Sequence, residues 1–329
     1  FMKLKVNAPL DPGFAPMVMA FREFEEAAEK SGGKKIVIGI ERNKGYISTY
    51  EMTVFEDGCG HDDENFAMAE RIVKTLLWAR GGYKIIIAGS DVIGGKIKEA
   101  YDFGGLRDFD RGFMARVYER PFEVESVPLD KAPKDHEAAE PVGRHLEGCR
   151  IGFDAGGSDR KVSAVIDGET VYSEEVVWFP KTTADPDYHY DGIVAALRAA
   201  AEHLPRVDAV GVSSAGVYIN NRTMNASLFL KVPQDLFDAK VKDIYIRAIT
   251  DTFGDVPFCV FNDGDVTALA GAISLEDTNI LGIAMGTSEA GGYVDENGYI
   301  TGWLNELAFI PVDANPGAMQ DEWSLDIGC

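Results

Sequence analysis

Cations, histidines and cysteines are all scarce in this chain of 329 residues, and each shortage narrows what it can do. Lysine and arginine total 32 against 54 aspartates and glutamates, a formal net charge of −22. Such a surface repels a phosphate backbone, which argues against sequence-independent nucleic-acid binding. An anionic ligand must then be met by local donors or by a metal ion. The four cysteines, Cys59, Cys149, Cys259 and Cys329, are too widely spaced for a disulfide framework or a paired thiolate metal site. A cytoplasmic setting is the expectation. Cys259, inside the apolar run Phe258-Cys259-Val260-Phe261, reads as a buried thiol. No apolar run approaches the ~18 residues of a membrane helix, and no signal-peptide core stands near the start. No histidine follows His203.

What is abundant is core material. Hydrophobic residues make up 46% and charged residues 26%, a globular composition with material for two or three domains. The pattern predicts a helix over 15–30, strands at Ile36–Ile40 and Gly45–Tyr50, and a helix over 66–80. A strand at 84–88 and a helix capped by Asp91 follow. Residues 1–125 therefore form an N-terminal α/β unit. The charged stretch 126–147, with Pro128, Pro133 and Pro141, has the composition of a linker.

The pattern then restarts at 148. Strands are expected at 150–153, 161–166, 170–177, 207–212, 258–261, 280–285 and 292–294. Helices are expected at 191–204, 235–253 and 266–275. An apolar strand, a glycine turn and a second strand begin at Ile36, Ile151 and Leu281. That reads either as a duplicated lobe or as three ordinary hairpins.

Three segments could carry chemistry. In Asp154-Ala155-Gly156-Gly157-Ser158, glycines allow backbone N–H groups to approach phosphate oxygens, and Asp154 could hold a hydrated Mg²⁺. A plain hairpin turn has the same residues. Gly286-Thr287-Ser288-Glu289-Ala290-Gly291-Gly292 is a second small-residue turn between strands. In Asn262-Asp263, a carboxylate at the carboxyl end of a strand is placed to take a proton from a substrate hydroxyl, or else to cap the helix that follows. His61 reads as part of a solvated acidic loop. His189, Trp178 and Trp303 suit either a sugar platform or packing.

The order of these segments, with Gly211–Gly216 between them and Ala268-Leu269-Ala270-Gly271 after Asn262-Asp263, resembles the ROK family of sugar kinases and sugar-responsive repressors. The resemblance covers residues ~148–310. It implies an α/β, actin/hexokinase-like (ribonuclease H-like) two-lobed fold, here with an additional N-terminal α/β unit. The first lobe would be ~148–276 and the start of the second ~277–329. It implies ATP and Mg²⁺ as cofactors and a small-molecule sugar substrate; from the acidic charge and the lack of a long apolar run, neither nucleic acid nor membrane is expected as a partner, and a homo-oligomer stays open. Asp154, Gly156, Gly157 and Ser158 match the first phosphate motif, and Gly286, Thr287, Gly291 and Gly292 the second. Asp263 matches the catalytic base, with Asn262, Ser214, Gly216, Asn225 and Glu306 as sugar ligands. The departures are specific. Ala308-Phe309 stands where a Gly-His pair is expected, Glu289 adds a charge to the second phosphate turn, and the clustered cysteines of a structural zinc site are missing, so no zinc is expected. The adenosine-binding half of the second lobe is also missing after Cys329. Either a continuation has been removed, the preferred reading, or the N-terminal unit, with its strand, glycine turn and helix at Ile85–Tyr101, supplies it. The function expected is sugar phosphorylation by ATP. The alternatives are a non-catalytic sugar or nucleotide sensor, or an ATPase without a sugar substrate.

Overall fold

The β-branched run at Ile36–Ile40 builds the first sheet. In the computed structural model, which describes residues 4–141, 143, 145–285 and 289–329, it lies in β1 (Lys34–Glu41), after α1 (Met17–Lys30). Alternation puts Ile36, Ile38 and Ile40 wholly inside. The chain continues through β2 (Ile47–Val54), α2 (Asp62–Arg80), β3 (Lys84–Ala88), α3 (Asp91–Ala100), α4 (Asp108–Tyr118) and β4 (Glu123–Val127). The strand order is β2-β1-β3-β4; β1 is antiparallel to both neighbours and β3 runs parallel to β4. Helix α2 buries Ala69, Val73 and Leu77 at helical spacing. Ser90, not Asp91, caps α3: its hydroxyl accepts from the Ile93 N–H at 3.1 Å, because a cap must precede the first helical residue.

This first unit consists mainly of residues 4–139 with 301–329. Part of the expected linker belongs to it. His136 bridges Ile47, and Glu137 is bound by Arg42, by the Ser48 hydroxyl and by the Trp303 indole.

The second unit consists mainly of residues 140–285 with 290–300. Its elements are β5 (Cys149–Ala155), β6 (Asp159–Ile166), β7 (Glu169–Val177), α5 (Pro186–Ala201), β8 (Ala209–Ser214), β9 (Val217–Ile219), β10 (Arg222–Asn225), the short α6 (Gln234–Leu236), α7 (Ile244–Phe253), β11 (Phe258–Phe261), α8 (Asp263–Leu275), β12 (Ile280–Met285) and β13 (Glu289–Val294). Two helix boundaries differ from expectation. Helix α5 starts at Pro186, where proline's fixed φ suits a first helical position and Asp185 caps by accepting from the Asp187 N–H. The expected long helix over 235–253 is interrupted by a wider π turn at Phe237–Val241.

The main sheet reads β11-β8-β5-β6-β7. Strands β5, β8 and β11 are parallel, and β6 is antiparallel to both its neighbours. A hairpin-led sheet with its first strand central, extended on the other side by two parallel strands, is the order of the ribonuclease H-like fold that the resemblance implied. One face is the core: Ile151, Phe153, Val162, Val210, Val212 and Val260 pack with α5 and α7. The opposite face carries Arg150, Gly152, Asp154, Lys161, Ser163, Gly211 and Ser213, and stays partly open.

Candidate functional site

Parallel strands deliver their carboxyl ends to one edge of the sheet, and ligands of open α/β sheets bind there. Asp154 sits next to the end of β5, paired in register with Ser213 on β8 and Lys161 on β6. Its side chain is 44% exposed. Burial pushes its pKa up, opposed by Lys161, whose Nζ is 4.0 Å away, and by a hydrogen bond from Ser213. The negative charge of Asp263 adds to the upward shift, so the two carboxylates lie within electrostatic reach.

The turn after Asp154 is braced from behind. Trp178, 1% exposed, donates its indole N–H to the Gly156 carbonyl at 2.8 Å, and its backbone N–H to the Ser158 carbonyl at 3.1 Å. The Ser158 hydroxyl donates to Asp159 at 3.1 Å. Lys181 lies across the turn: a Cβ at Gly157 would stand 2.5 Å from its Cε and 2.8 Å from its amine, contacts the flexible end of the lysine can relieve by moving. Lys181 is exposed and makes no ion pair among the described residues. Sequence reading missed Lys161, Lys181 and Ser213. The register Asp154↔Lys161 follows from the hairpin and was available; the approach of Lys181 and Ser213 was not.

Helix α8 begins at the end of β11, and both readings of Asn262-Asp263 can now be separated. Asn262 is the cap: its Oδ1 accepts from the Gly264 N–H at 2.7 Å, while its Nδ2 donates to the Gly216 carbonyl at 2.7 Å. Asp263, the first helical residue, is freed from capping and accepts only a local bond from the Gly264 N–H at 3.1 Å. Burial raises its pKa. Asp265 is 6% exposed, its Oδ1 has no partner, and burial together with the charge of Asp263 pushes it up to about 8.

The remaining expected residues divide. Ser214 faces the core, where its hydroxyl donates to the Ala155 carbonyl at 3.4 Å and accepts from Tyr245 at 3.1 Å. Gly216, at φ +143°, leaves no room for a Cβ beside Asn225 and Ala226. Asn225 is exposed at the end of β10. Gly291 and Gly292 lie in β13; a Cβ at Gly292 would collide with the backbone of Gly264 and Asp265, and one at Gly264 with the Gly291 carbonyl. Gly286 and Thr287 lie outside the described residues. Glu306 belongs to the first unit, its backbone N–H donating to the Trp78 carbonyl at 3.0 Å. His189, the candidate sugar platform, is buried, with ring nitrogens 3.0 Å from the carbonyls of Asp185 and Pro180.

A groove of about 770 Å³ runs along the open face of the sheet, lined by Gly152, Ser163, Gly211, Ser213, Phe261 and Leu269, with Asp154 and Lys161 in its wall. Cys259 lines it too and is only half-buried; burial raises its pKa. Among the described residues no group of three or more His, Cys, Asp or Glu is arranged around a metal position. A half-exposed single carboxylate beside a glycine turn suits Mg²⁺ that keeps most of its water and arrives with phosphates, rather than a caged ion.

The class defined by fold and site is thus an α/β protein with a ribonuclease H-like sheet and a carboxylate pair at the strand ends. No family model matches the sequence, and no curated protein does. Its neighbours among solved structures include ROK family kinases and regulators and an ethanolamine utilization protein, EutJ, from Carboxydothermus hydrogenoformans. The ROK hexokinase from Thermus thermophilus aligns with a TM-score of 0.42 and 17% identity, over 55% of this chain and 57% of that one. The inorganic polyphosphate/ATP-glucomannokinase from Arthrobacter sp. strain KM gives 0.38 and 20%, over 54% and 65%. A ROK family transcriptional regulator, a homolog of E. coli MLC protein, gives 0.41 and 18%, over 56% and 46%. The chain spans less than two thirds of each. Likenesses this distant assign no role to any residue; those rest on the geometry above. No helix among the described residues is long and apolar enough to cross a membrane.

Proposed function

We propose that this protein transfers the γ-phosphate of ATP to a hydroxyl of a hexose-like sugar. The observation that carries the reading is the placement of Asp154 near the carboxyl end of β5 and of Asp263 just past the carboxyl end of β11, on either side of β8, beside a braced glycine turn with two lysines. Asp263 accepts the hydroxyl proton as the substrate oxygen bonds to the γ-phosphorus. The bond to the bridging oxygen breaks, and ADP leaves with its electron pair. A raised pKa suits a general base, because a carboxylate desolvated by burial holds a proton more strongly. The turn at Gly156-Gly157 and the amines of Lys161 and Lys181 position phosphate oxygens, which is most of what phosphoryl transfer asks of a protein. Asp154 would hold Mg²⁺ through water; the charge it supplies when bound neutralises the phosphates. The test is ADP release over a panel of sugars, with Asp263→Asn beside the parent protein. Turnover by the parent that is lost in the variant, with ATP binding kept, supports the reading; equal turnover in both refutes it.

A second reading, a sugar or nucleotide sensor without turnover, is favoured by one observation. Asn262 and Ser214, two expected sugar ligands, already spend their polar atoms inside the protein. Calorimetry with Mg²⁺–ATP and sugars separates the two: a sensor binds and releases no ADP.

A further inference from the structure

The mechanism above leaves one buried acid unused. Asp265 lies two residues beyond Asp263 in the first turn of α8. It is 6% exposed, and its Oδ1 is buried with no hydrogen-bond partner. The backbone of β13 closes over this turn so tightly that neither Gly292, against the Gly264 carbonyl and the Asp265 backbone, nor Gly264, against the Gly291 carbonyl, could carry a side chain, which keeps solvent from that side. The surrounding elements bring little compensating charge. Strands β8 and β12 contain no ionisable residue, and β13 contains Glu289 and Tyr293, whose hydroxyl donates to Asn279 at 3.0 Å. The charge that reaches Asp265 is that of Asp263, and it is of the same sign. A carboxylate with an orphaned oxygen, no cation and an anionic neighbour is a poor anion and a good acid.

We propose that Asp265 is a positioning residue that stays protonated at neutral pH, so that the first turn of α8 presents one negative charge, on Asp263, and not two. The proposal rests on the phosphotransfer reading for its consequence. A second anion there would repel the incoming triphosphate and would compete with Asp263 for the substrate proton. The proton on Asp265 stays in place throughout the transfer.

The linkage gives a readout independent of activity. The folded protein holds this proton up to about pH 8, whereas the unfolded chain releases it near the ordinary carboxylate value. The contribution of Asp265 to stability therefore falls as pH rises between those values, and levels off above the higher one. Asp265→Asn is neutral, nearly isosteric and free of this dependence. The difference in Tm between variant and parent should move steadily in favour of the variant from pH 5 to pH 8. A difference that stays constant over that range overturns the proposal. In turnover, Asp265→Asn should keep ADP release at pH 7 and lose the fall on the alkaline side that the parent shows. A folded variant with no activity would mean that the carboxylate itself is required, and would also overturn it. Should the variant not fold, infrared difference spectra of the parent across pH 7 to 9 decide the point: a protonated-carboxyl band that titrates away supports the proposal, and its absence at pH 7 ends it. A parent protein that releases no ADP with any sugar defeats the kinase reading alone, while the Tm difference still tests the proton.

Discussion

Both units bury acidic residues, but only the first surrounds them with cations. Glu70, Asp110 and Asp326 meet Arg71, Lys74 and Arg107. Lys74 Nζ is 2.9 Å from Asp326 and 3.5 Å from Asp110, and Arg107 is 2.6 Å from Glu70 and 2.9 Å from Asp326. Burial pushes Glu70 and Asp110 upward in spite of these cations, whereas at Asp326 Arg71 and Lys74 outweigh burial and hold the carboxyl below its usual range. Asp110 Oδ2 and the Tyr101 hydroxyl are the atoms of this cluster left without a partner. In the second unit, Asp154, Asp263 and Asp265 are all pushed upward, and one lysine stands at 4.0 Å from the first of them. Charges neutralised by one another hold a fold together. Charges left uncompensated at a strand edge cost stability and are retained where chemistry uses them.

The comparison breaks most visibly at Asp263. Asp263→Asn should lower turnover by about 10²–10⁴-fold with little loss of stability, read by ADP release and by denaturant unfolding. The reverse is expected in the first unit. Lys74→Met takes from buried Asp110 its cation, while Asp326 keeps Arg71 and Arg107, and should cost about 3–5 kcal/mol in urea unfolding. Below pH 4 that cost should shrink, because protonation of Asp110 removes the charge that Lys74 offsets. Trp178→Phe keeps a six-membered aromatic ring, removes the hydrogen bond to Gly156, worth about 0.5–1.5 kcal/mol, and adds the cost of a cavity where the pyrrole half of the buried indole stood. It should weaken ATP binding, by calorimetry, more than a loss of stability alone explains. The smallest effect belongs to Gly211→Ala on the open sheet face. A Cβ there meets nothing within 4 Å, so Tm should stay the same or rise slightly. A marked loss would mean that this face is covered.

The second unit was largely legible in its sequence, because its signals are local. A β-branched run, a glycine turn and a second strand specify a hairpin, and Asp154 with Gly156-Gly157 came with it. Asn262-Asp263 between a strand and a helix marked where the helix begins, with cap and free carboxylate undecided. The ionic cluster of the first unit was not legible. Glu70, Arg71 and Lys74 look like the solvated face of a helix until Arg107, Asp110 and Asp326 arrive from other parts of the chain. Trp178 was ambiguous for the same reason, since its partner carbonyl lies across the hairpin turn.

The sequence by itself determined most of the strands and the turns that join them into hairpins, because side-chain alternation, β-branching and glycine act within a few residues of chain. Only the tertiary structure decided which charges are neutralised, which asparagine oxygen caps α8 and which carboxylate is left without a partner. Those outcomes depend on distances and desolvation between segments remote in sequence, and no local pattern encodes them.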